Sequence, residues 1–365
     1  KKENYWKRAI AAETYSKLGG LILQPDDLVI VTDNHEYGYR NKIEFSFTEI
    51  PPPYEGGARR GSISLAFFER GKHRHIPATG SLLAQSIING TAQDILHWIN
   101  EQHIPMRSLK SLIVRSSIEP HPDPLPFGIA QGRSLKGEGN KNPSPYEGEG
   151  RMGSTIAALF IKDELSFEQY PALTDTLKGF HLYYSTHKSP ASVPTKLLYT
   201  AGQDYLIATL KETKLKFGLL SFFQINLPIF DTALSDIAAF LHPHMPVIDY
   251  YSGVGAISLP LSMNRDAATL IDNNAEAIRY ATENIELNNK KNCEAICTPS
   301  EDMADIISPD KMIILDPPRA GLHERLVRRL LIRKPPRIIY LSCGLDTQAR
   351  DLKLLSEEYT LSFLK

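Results

Sequence analysis

Apolar residues in the last third of the chain fall in short runs, each followed by a stretch with helical spacing. The run at 247–248 leads through Asp249 into SGVGAISLPL, whose apolar tail predicts a helix. The run at 268–271 precedes AEAIRYATENIELNN, in which Ala277, Ile278, Ala281 and Ile285 mark one face of a helix. The run at 312–315 precedes a helix near 323–332, and the run at 338–341 precedes a helix near 346–355. Strands alternating with helices in this way predict a parallel sheet covered by helices.

The stretch from 36 to 220 has a different period. NKIEFSFTEI alternates Ile43, Phe45 and Phe47, and SISLAFFERG alternates Ile63, Leu65 and Phe67. Alternation of period two predicts two half-buried strands of one hairpin. SLIVRSS (111–117) and STIAALFIKD (154–163) predict a second hairpin. The connection of the first pair, PPPYEGGARRG (51–61), matches PSPYEGEGRMG (143–153) at seven of eleven positions. This repeat carries no hydrophobic core pattern, which separates it from solenoid repeats. Residues 119–153 hold six Pro and seven Gly, the composition of an irregular insertion at a hairpin tip.

A chain of 365 residues has room for two or more domains with their own cores. No apolar run approaches the ~18 residues of a membrane-spanning helix. The first twenty residues lack the apolar segment of a signal peptide, so a cytoplasmic protein is expected. Three cysteines fit a reduced compartment. Cys293 and Cys297, in C-x3-C spacing, are expected to be buried small residues, and with Cys343 they do not make a four-cysteine cluster. Net charge is −1, but residues 311–353 hold ten Lys and Arg against four acids. Such a stretch either meets phosphates or forms a solvated helix face.

Candidate chemistry gathers at the ends of the predicted strands. Gly253 and Gly255 follow the first strand, where glycine lets a ligand approach the backbone closely. Asp272 ends the second strand, a position suited to a ribose diol. There is no third glycine of a dinucleotide fingerprint. Asp316 ends the next strand and is followed by Pro317 and Pro318, a rigid turn with no N–H to satisfy, and then by Arg319. Cys343 ends the last strand on the same rim. Alone it reads as small apolar filler; beside the other three positions it reads as a nucleophile. Gln224 interrupts the apolar segment LLSFFQIN ahead of the first of these strands.

Taken in order, FFQIN, DYYSGVGAISLPL, ILDPPRAGL and IIYLSCGLDTQARDL resemble the RNA (uracil-C5)-methyltransferase family, and GYRNKIEFSF resembles a strand of that family's central domain. The resemblance spans most of the chain, with its sharp motifs in 222–351. It implies an α/β, Rossmann-like class I methyltransferase domain with a mainly parallel sheet (221–365), preceded by a hairpin-rich α+β central domain that contacts RNA (36–220) and a helical lead-in (1–35). It implies S-adenosylmethionine as cofactor and a ribosomal or transfer RNA substrate. Some members of the family also carry a four-cysteine iron–sulfur site, which the three cysteines here do not supply, so no metal is expected, nor a membrane, and a monomer is expected. Carried over by resemblance, Gln224, Tyr251, Asp272, Glu301 and Asp316 are cofactor contacts, Gly253 and Gly255 shape the loop, and Cys343 is the nucleophile. The family's general-base glutamate lies in a segment beyond Lys365. The chain departs from the family in having Ser252 for a cysteine and Gly344-Leu345 after the nucleophile in place of Asn-Pro.

A cysteine suits this chemistry. Uracil C5 is a weak nucleophile; a thiolate adding to C6 turns it into an enolate carbon, and the thiolate later leaves. A helix N-terminus near Asp346, or Arg350 one turn in, could favour the thiolate. Two other readings stay open from the sequence: a nucleic-acid N-methyltransferase using the Asp-Pro-Pro turn, and a degenerate relative that only binds RNA.

Overall fold

The computed structural model describes all residues except 1, 33–34, 52–60, 70, 73, 118–152, 191 and 263–266. The insertions expected at 51–61 and 119–153 lie almost wholly outside the described residues. The chain divides into two compact units, Tyr37–Leu206 and a second formed by Lys1–Glu36 with Ile207–Lys365.

The chain begins with α1 (Lys2–Gly19). In the Tyr37–Leu206 unit follow β1 (Lys42–Ile50), β2 (Ser62–Phe68), β3 (His75–Pro77), α2 (Ser86–Glu101), β4 (Leu109–Ser117), β5 (Ser154–Ile161), β6 (Leu177–Tyr184) and β7 (Lys196–Gly202). The seven strands form one sheet in the order β3-β2-β1-β4-β5-β6-β7. Both expected hairpin pairings are present: β1 runs antiparallel to β2, with Phe47 opposite Leu65, and β4 antiparallel to β5, with Leu112 opposite Leu159. The alternation places Ile43, Phe45 and Phe47 on one face, in a core with Ile88, Ala92, Ile95 and Ile99 of α2. Those four recur at helical spacing, which makes α2 amphipathic and lets it cover the sheet.

The remaining elements are β8 (Tyr205–Leu210), β9 (Thr213–Gly218), α3 (Leu227–Phe240), β10 (Val247–Tyr250), β11 (Ala268–Asp272), α4 (Ala275–Leu287), β12 (Cys293–Cys297), a 3-10 helix (Ser300–Ile306), β13 (Met312–Leu315), α5 (Glu324–Arg333), β14 (Ile338–Tyr340) and α6 (Leu345–Leu355). Five of these strands form an all-parallel sheet in the order β12-β11-β10-β13-β14. Every residue of β10 and β13 is buried, as expected of inner parallel strands covered on both faces. Leu322, Leu326, Val327, Leu330 and Leu355 pack with Ile248, Ile313 and Leu315 on one side.

Three expectations are corrected. The apolar stretch after Gly255 is a series of turns, not a helix. Pro260 lacks the N–H that would continue a helical ladder, and Leu261 and Ser262 bond three residues back, to Ser258 and Leu259. The helical lead-in is not separate, since α1 packs on α6 within the parallel-sheet unit. The division between units falls inside β8 rather than at 220.

The β8–β9 hairpin is tied to α4 by asparagines one turn apart. Asn284, fully buried, accepts from the Lys216 N–H at 2.6 Å and donates to the Lys216 carbonyl at 2.9 Å and the Val254 carbonyl at 3.0 Å. Asn288 repeats the pairing with Lys214. The bond to Val254 also pins the glycine loop to α4. Asn284→Ala strips three buried or half-buried backbone groups of these bonds and is expected to cost about 3 kcal/mol, read as a lowered urea midpoint. A loss below about 0.5 kcal/mol, the scale of an ordinary surface substitution, would contradict this account of the loop's anchorage.

Candidate active site

Strand order reverses at β10: β11 and β12 lie to one side of it, β13 and β14 to the other. The crevice at such a switch point, beyond the carboxyl ends of the strands, is where open α/β sheets take ligands. The sequence-predicted residues meet this rim. Tyr251, Gly253 and Gly255 follow β10, Asp272 ends β11, Glu301 lies in the 3-10 helix after β12, Asp316 follows β13, and Cys343 lies three residues beyond β14.

The loop after β10 turns sharply. Tyr251, Gly253 and Gly255 all have positive φ (63°, 55° and 85°). For Tyr251 this conformation costs about 1–2 kcal/mol, held in place because its ring packs against the core cluster around β10 and β13. Burial pushes the Tyr251 hydroxyl pKa up, against the His323 backbone and Ser300 hydroxyl, which bond to it. Gly255 has no room for a side chain, since a Cβ would stand 2.6 Å from Leu259 and 2.7 Å from Leu270. At Gly253 a Cβ would meet nothing within 4 Å, so the loop backbone is open there. The Gly253 N–H donates to Asp272 Oδ2 at 2.9 Å, and the Asn274 N–H donates to Oδ1 at 2.8 Å.

Two carboxyls sit deeper. Asp249, an inner residue of β10, is fully buried; its Oδ2 accepts from the Ser258 hydroxyl. Its Oδ1 and the buried Ser252 Oγ have no hydrogen-bond partner. Desolvation pushes the Asp249 pKa up to about 7, opposed by Ser258 and reinforced by the charges of Asp316 and Asp272. Asp316 accepts a long bond (3.5 Å) from Gln224 Nε2, and burial pushes its pKa up to about 6. Gln224 is carried by a segment fixed through Phe223, whose ring stacks on Phe217 at 4.0 Å, while Phe222 stands 69% exposed.

Cys343 is exposed. The Gly344 N–H donates to Ser342 Oγ at 3.0 Å and the Ser342 hydroxyl donates back to the Gly344 carbonyl at 2.9 Å, closing a tight turn around the thiol. Gly344 is the N-cap of α6, so the thiol stands next to that helix's positive end. A Cβ on Gly344 would lie 2.8 Å from Thr347 Oγ1 and 3.5 Å from the Arg319 carbonyl. Glycine at this position therefore reflects close packing, and the nucleophile-candidate loop abuts the Asp-Pro-Pro-Arg loop. Arg350 does not turn to the thiol. Its guanidinium binds Asp351 Oδ1 and the Ala320 carbonyl.

Other expectations change. Cys293 is half-buried and Cys297 exposed, because β12 is an edge strand with one neighbour. Among the basic residues of 311–353, Arg325 pairs with Asp302 and Asp305, Arg329 with Asp305, Arg328 with Glu324 and Lys334 with Glu358. The Arg325 and Arg329 pairs join α5 to the 3-10 helix bearing Glu301, and all of these pairs offset much of the local charge. Sequence reasoning missed Asp351, which is buried; an acid within the polar stretch LDTQARD gives no sign of burial. Among the described residues no group of three or more His, Cys, Asp or Glu could hold a metal ion, and no helix is long and apolar enough to cross a membrane.

A parallel sheet with a glycine turn after its central strand, acids at the neighbouring strand ends and a covering layer of helices defines the class I methyltransferase fold. The same fold occurs in the Pyrococcus abyssi tRNA (uracil-54, C5)-methyltransferase, solved with S-adenosyl-L-homocysteine. That structure superposes with a TM-score of 0.68 at 19% identity, over 96% of this chain and 76% of that one. The family described as tRNA (Uracil-5-)-methyltransferase matches residues 203–364, the segment that carries every candidate site residue. An uncharacterized RNA methyltransferase of Mycoplasma mobile is 34% identical over 152 residues, 40% of this chain and 41% of the relative. Others from Nostoc and Prochlorococcus marinus are each 26% identical, over 97% and 98% of this chain and 72% and 80% of their own length. The chain thus spans less than half of the first of these relatives and roughly three quarters of the other two.

Asp249 and Asp316 hold protons more tightly when folded than the ordinary carboxyl value of 3.8. Between about pH 4 and about pH 7 these two groups therefore bind more protons in the folded chain than in the unfolded one, and their contribution to stability falls as pH rises through that window. Asp249→Asn is expected to make this fall shallower, measured as urea midpoints across the window. An unchanged slope would contradict the assignment of a raised pKa to Asp249.

Proposed function

We propose that the protein is an S-adenosylmethionine-dependent RNA methyltransferase that methylates C5 of a uridine in ribosomal or transfer RNA, with Cys343 as nucleophile. The observation that carries this reading is the placement of one exposed thiol against the Asp-Pro-Pro loop, on the rim of a class I methyltransferase sheet. The family match over 203–364 supports the same reaction.

The crevice suits the cofactor. Asp249 Oδ1 and Ser252 Oγ are buried polar atoms with no partner, and a buried polar group is costly until it is bonded. Asp249, Asp272 and Asp316 place three carboxyls about the switch point, a field that favours a cationic ligand. When bound, S-adenosylmethionine supplies an electrophilic methyl group on a positive sulfonium. Asp272 would hold ribose hydroxyls, the open backbone at Gly253 would admit close approach, and Gln224 with Asp316 would line the side facing the uracil. Glu301 and Tyr251 complete the wall near β12 and β10.

The chain's own chemistry lies at Cys343. Its Sγ adds to uracil C6, and the electrons of the C5–C6 double bond move to make C5 the nucleophilic carbon. After C5 is alkylated, a base takes the C5 proton, the double bond re-forms and Sγ leaves as thiolate, so the enzyme is regenerated. The uracil must be unpaired or flipped to expose both faces of its ring.

The test is to incubate the full chain and S-adenosylmethionine with transfer and ribosomal RNA lacking 5-methyluridine, digest to nucleosides and identify the product by mass spectrometry. The expected product is 5-methyluridine, falling to background in Cys343→Ala. A methylated exocyclic amine in its place, or undiminished methylation by Cys343→Ala, would overturn the proposal.

A further inference from the structure

The two loops that carry the proposed nucleophile and the Asp-Pro-Pro turn leave neighbouring strands, and neither loop has regular structure of its own. One buried carboxylate joins them. Asp351, in the middle of α6, is 1% exposed. Its Oδ2 accepts from the Tyr340 hydroxyl at 2.8 Å and from the Leu322 N–H at 2.8 Å. Its Oδ1 accepts from Arg350 Nε at 2.9 Å and Nη2 at 2.7 Å, and Nη2 also donates to the Ala320 carbonyl at 3.0 Å. Tyr340 ends β14 three residues before Cys343, while Ala320 and Leu322 close the loop that begins at Asp316. A second bond fixes the same strand end, from Gln348 Nε2 to the Tyr340 carbonyl at 3.0 Å; the Gln348 carbonyl oxygen in turn accepts from the Tyr15 hydroxyl of α1 at 2.6 Å.

The fit is close and chemically selective. A Cβ on Gly321, itself at φ +81°, would lie 2.4 Å from Arg350 Nη2 and 2.6 Å from Asp351 Oδ2. All four bonds to Asp351 come from donors, two to each oxygen, which an ionised carboxylate accepts without a proton of its own. An asparagine in either orientation would turn its amide hydrogens towards two of those donors. Burying an ion pair is seldom the most stabilising way to hold a helix on a sheet, since apolar packing often does as well or better. What the ionic network adds over apolar packing is direction, because each bond fixes a particular atom of one loop relative to the other.

We infer that Asp351 is a positioning residue, setting the Cys343 loop against the 316–322 loop so that the thiolate meets uracil C6 while C5 faces the methyl donor. This inference rests on the reading of Cys343 as the nucleophile. Asp351 touches neither substrate nor cofactor. It acts through Tyr340 on one side and through Leu322 and Arg350 on the other. The cofactor contacts proposed above, Asp272, Gln224 and Asp316, lie outside its hydrogen-bond network, so its loss weakens the reaction more than it weakens cofactor binding.

The experiment compares the full chain with Asp351→Asn, Asp351→Ala and Tyr340→Phe. It measures kcat and KM for RNA, the S-adenosylmethionine Kd by calorimetry, and fold by near-ultraviolet circular dichroism. For the Asp351 variants kcat is expected to fall about 10- to 100-fold, the scale of a misplacement of about 1 Å, with Kd and KM within about 3-fold of the parent. Tyr340→Phe removes a single hydroxyl, and its kcat is expected to fall about 3- to 10-fold. It carries the test should the Asp351 variants not fold. Folded variants that keep the parent kcat, or in which kcat and cofactor affinity fall together, would overturn this inference alone. A parent protein that binds the cofactor yet yields no 5-methyluridine on any RNA would overturn the functional reading and this inference with it.

Discussion

β10 has a parallel neighbour on each side, and the chain departs from it in opposite directions across the sheet. That reversal is the constraint on which the rest of the site depends. The parallel arrangement delivers all five strand ends to one rim, and the reversal at β10 marks the place on that rim where open α/β sheets take ligands. Each strand end then contributes a different kind of group: a glycine turn after β10, an acid at β11, the 3-10 helix bearing Glu301 after β12, the Asp-Pro-Pro turn after β13 and the thiol after β14. These residues lie 92 positions apart along the chain from Tyr251 to Cys343, and they meet because the strands share one direction.

The rim is held by polar contacts from outside it. Asn284 reaches from α4 to the glycine loop, and the α5 arginines hold the 3-10 helix that carries Glu301. Beneath the loops, Asp249 keeps one oxygen bonded to Ser258 and one without a partner. Such an atom adds nothing to stability in the free protein. On the proposed reading it is completed by a cationic ligand, which also relieves the repulsion among Asp249, Asp272 and Asp316. The site is then less stable empty than filled, a common property of preorganised active sites.

Much of this was legible in the sequence. Alternation of short apolar runs with helical spacing gave the parallel sheet, and period-two patterns gave both antiparallel pairings near the start of the other unit. The strand ends Asp272, Asp316 and Cys343 were readable because acids, Asp-Pro-Pro and a lone cysteine interrupt apolar runs at a common place. What escaped depends on distant partners. The burial of Asp351 comes from Leu322, 29 residues away, and from Tyr340 on the adjoining strand. The arginines of α5 looked like a basic face because the acids that pair with them sit on another element. Cys293 and Cys297 were expected inside because spacing says nothing about which strand forms the edge of a sheet. The turns after Gly255 were masked by apolar composition, although Pro260 was there to mark them.

The central claim is that Cys343 forms a bond to the uracil. It is tested most directly by reacting the full chain and S-adenosylmethionine with RNA containing 5-fluorouridine, whose C5 has no removable proton once methylated, so that the adduct is trapped, and mapping the cross-link by peptide mass spectrometry after trypsin. The account predicts RNA mass on the peptide 338–350, which holds Cys343 and neither of the other cysteines. An adduct on the peptide containing Cys293 and Cys297, or the absence of any adduct from a protein that methylates uridine at C5, would contradict it.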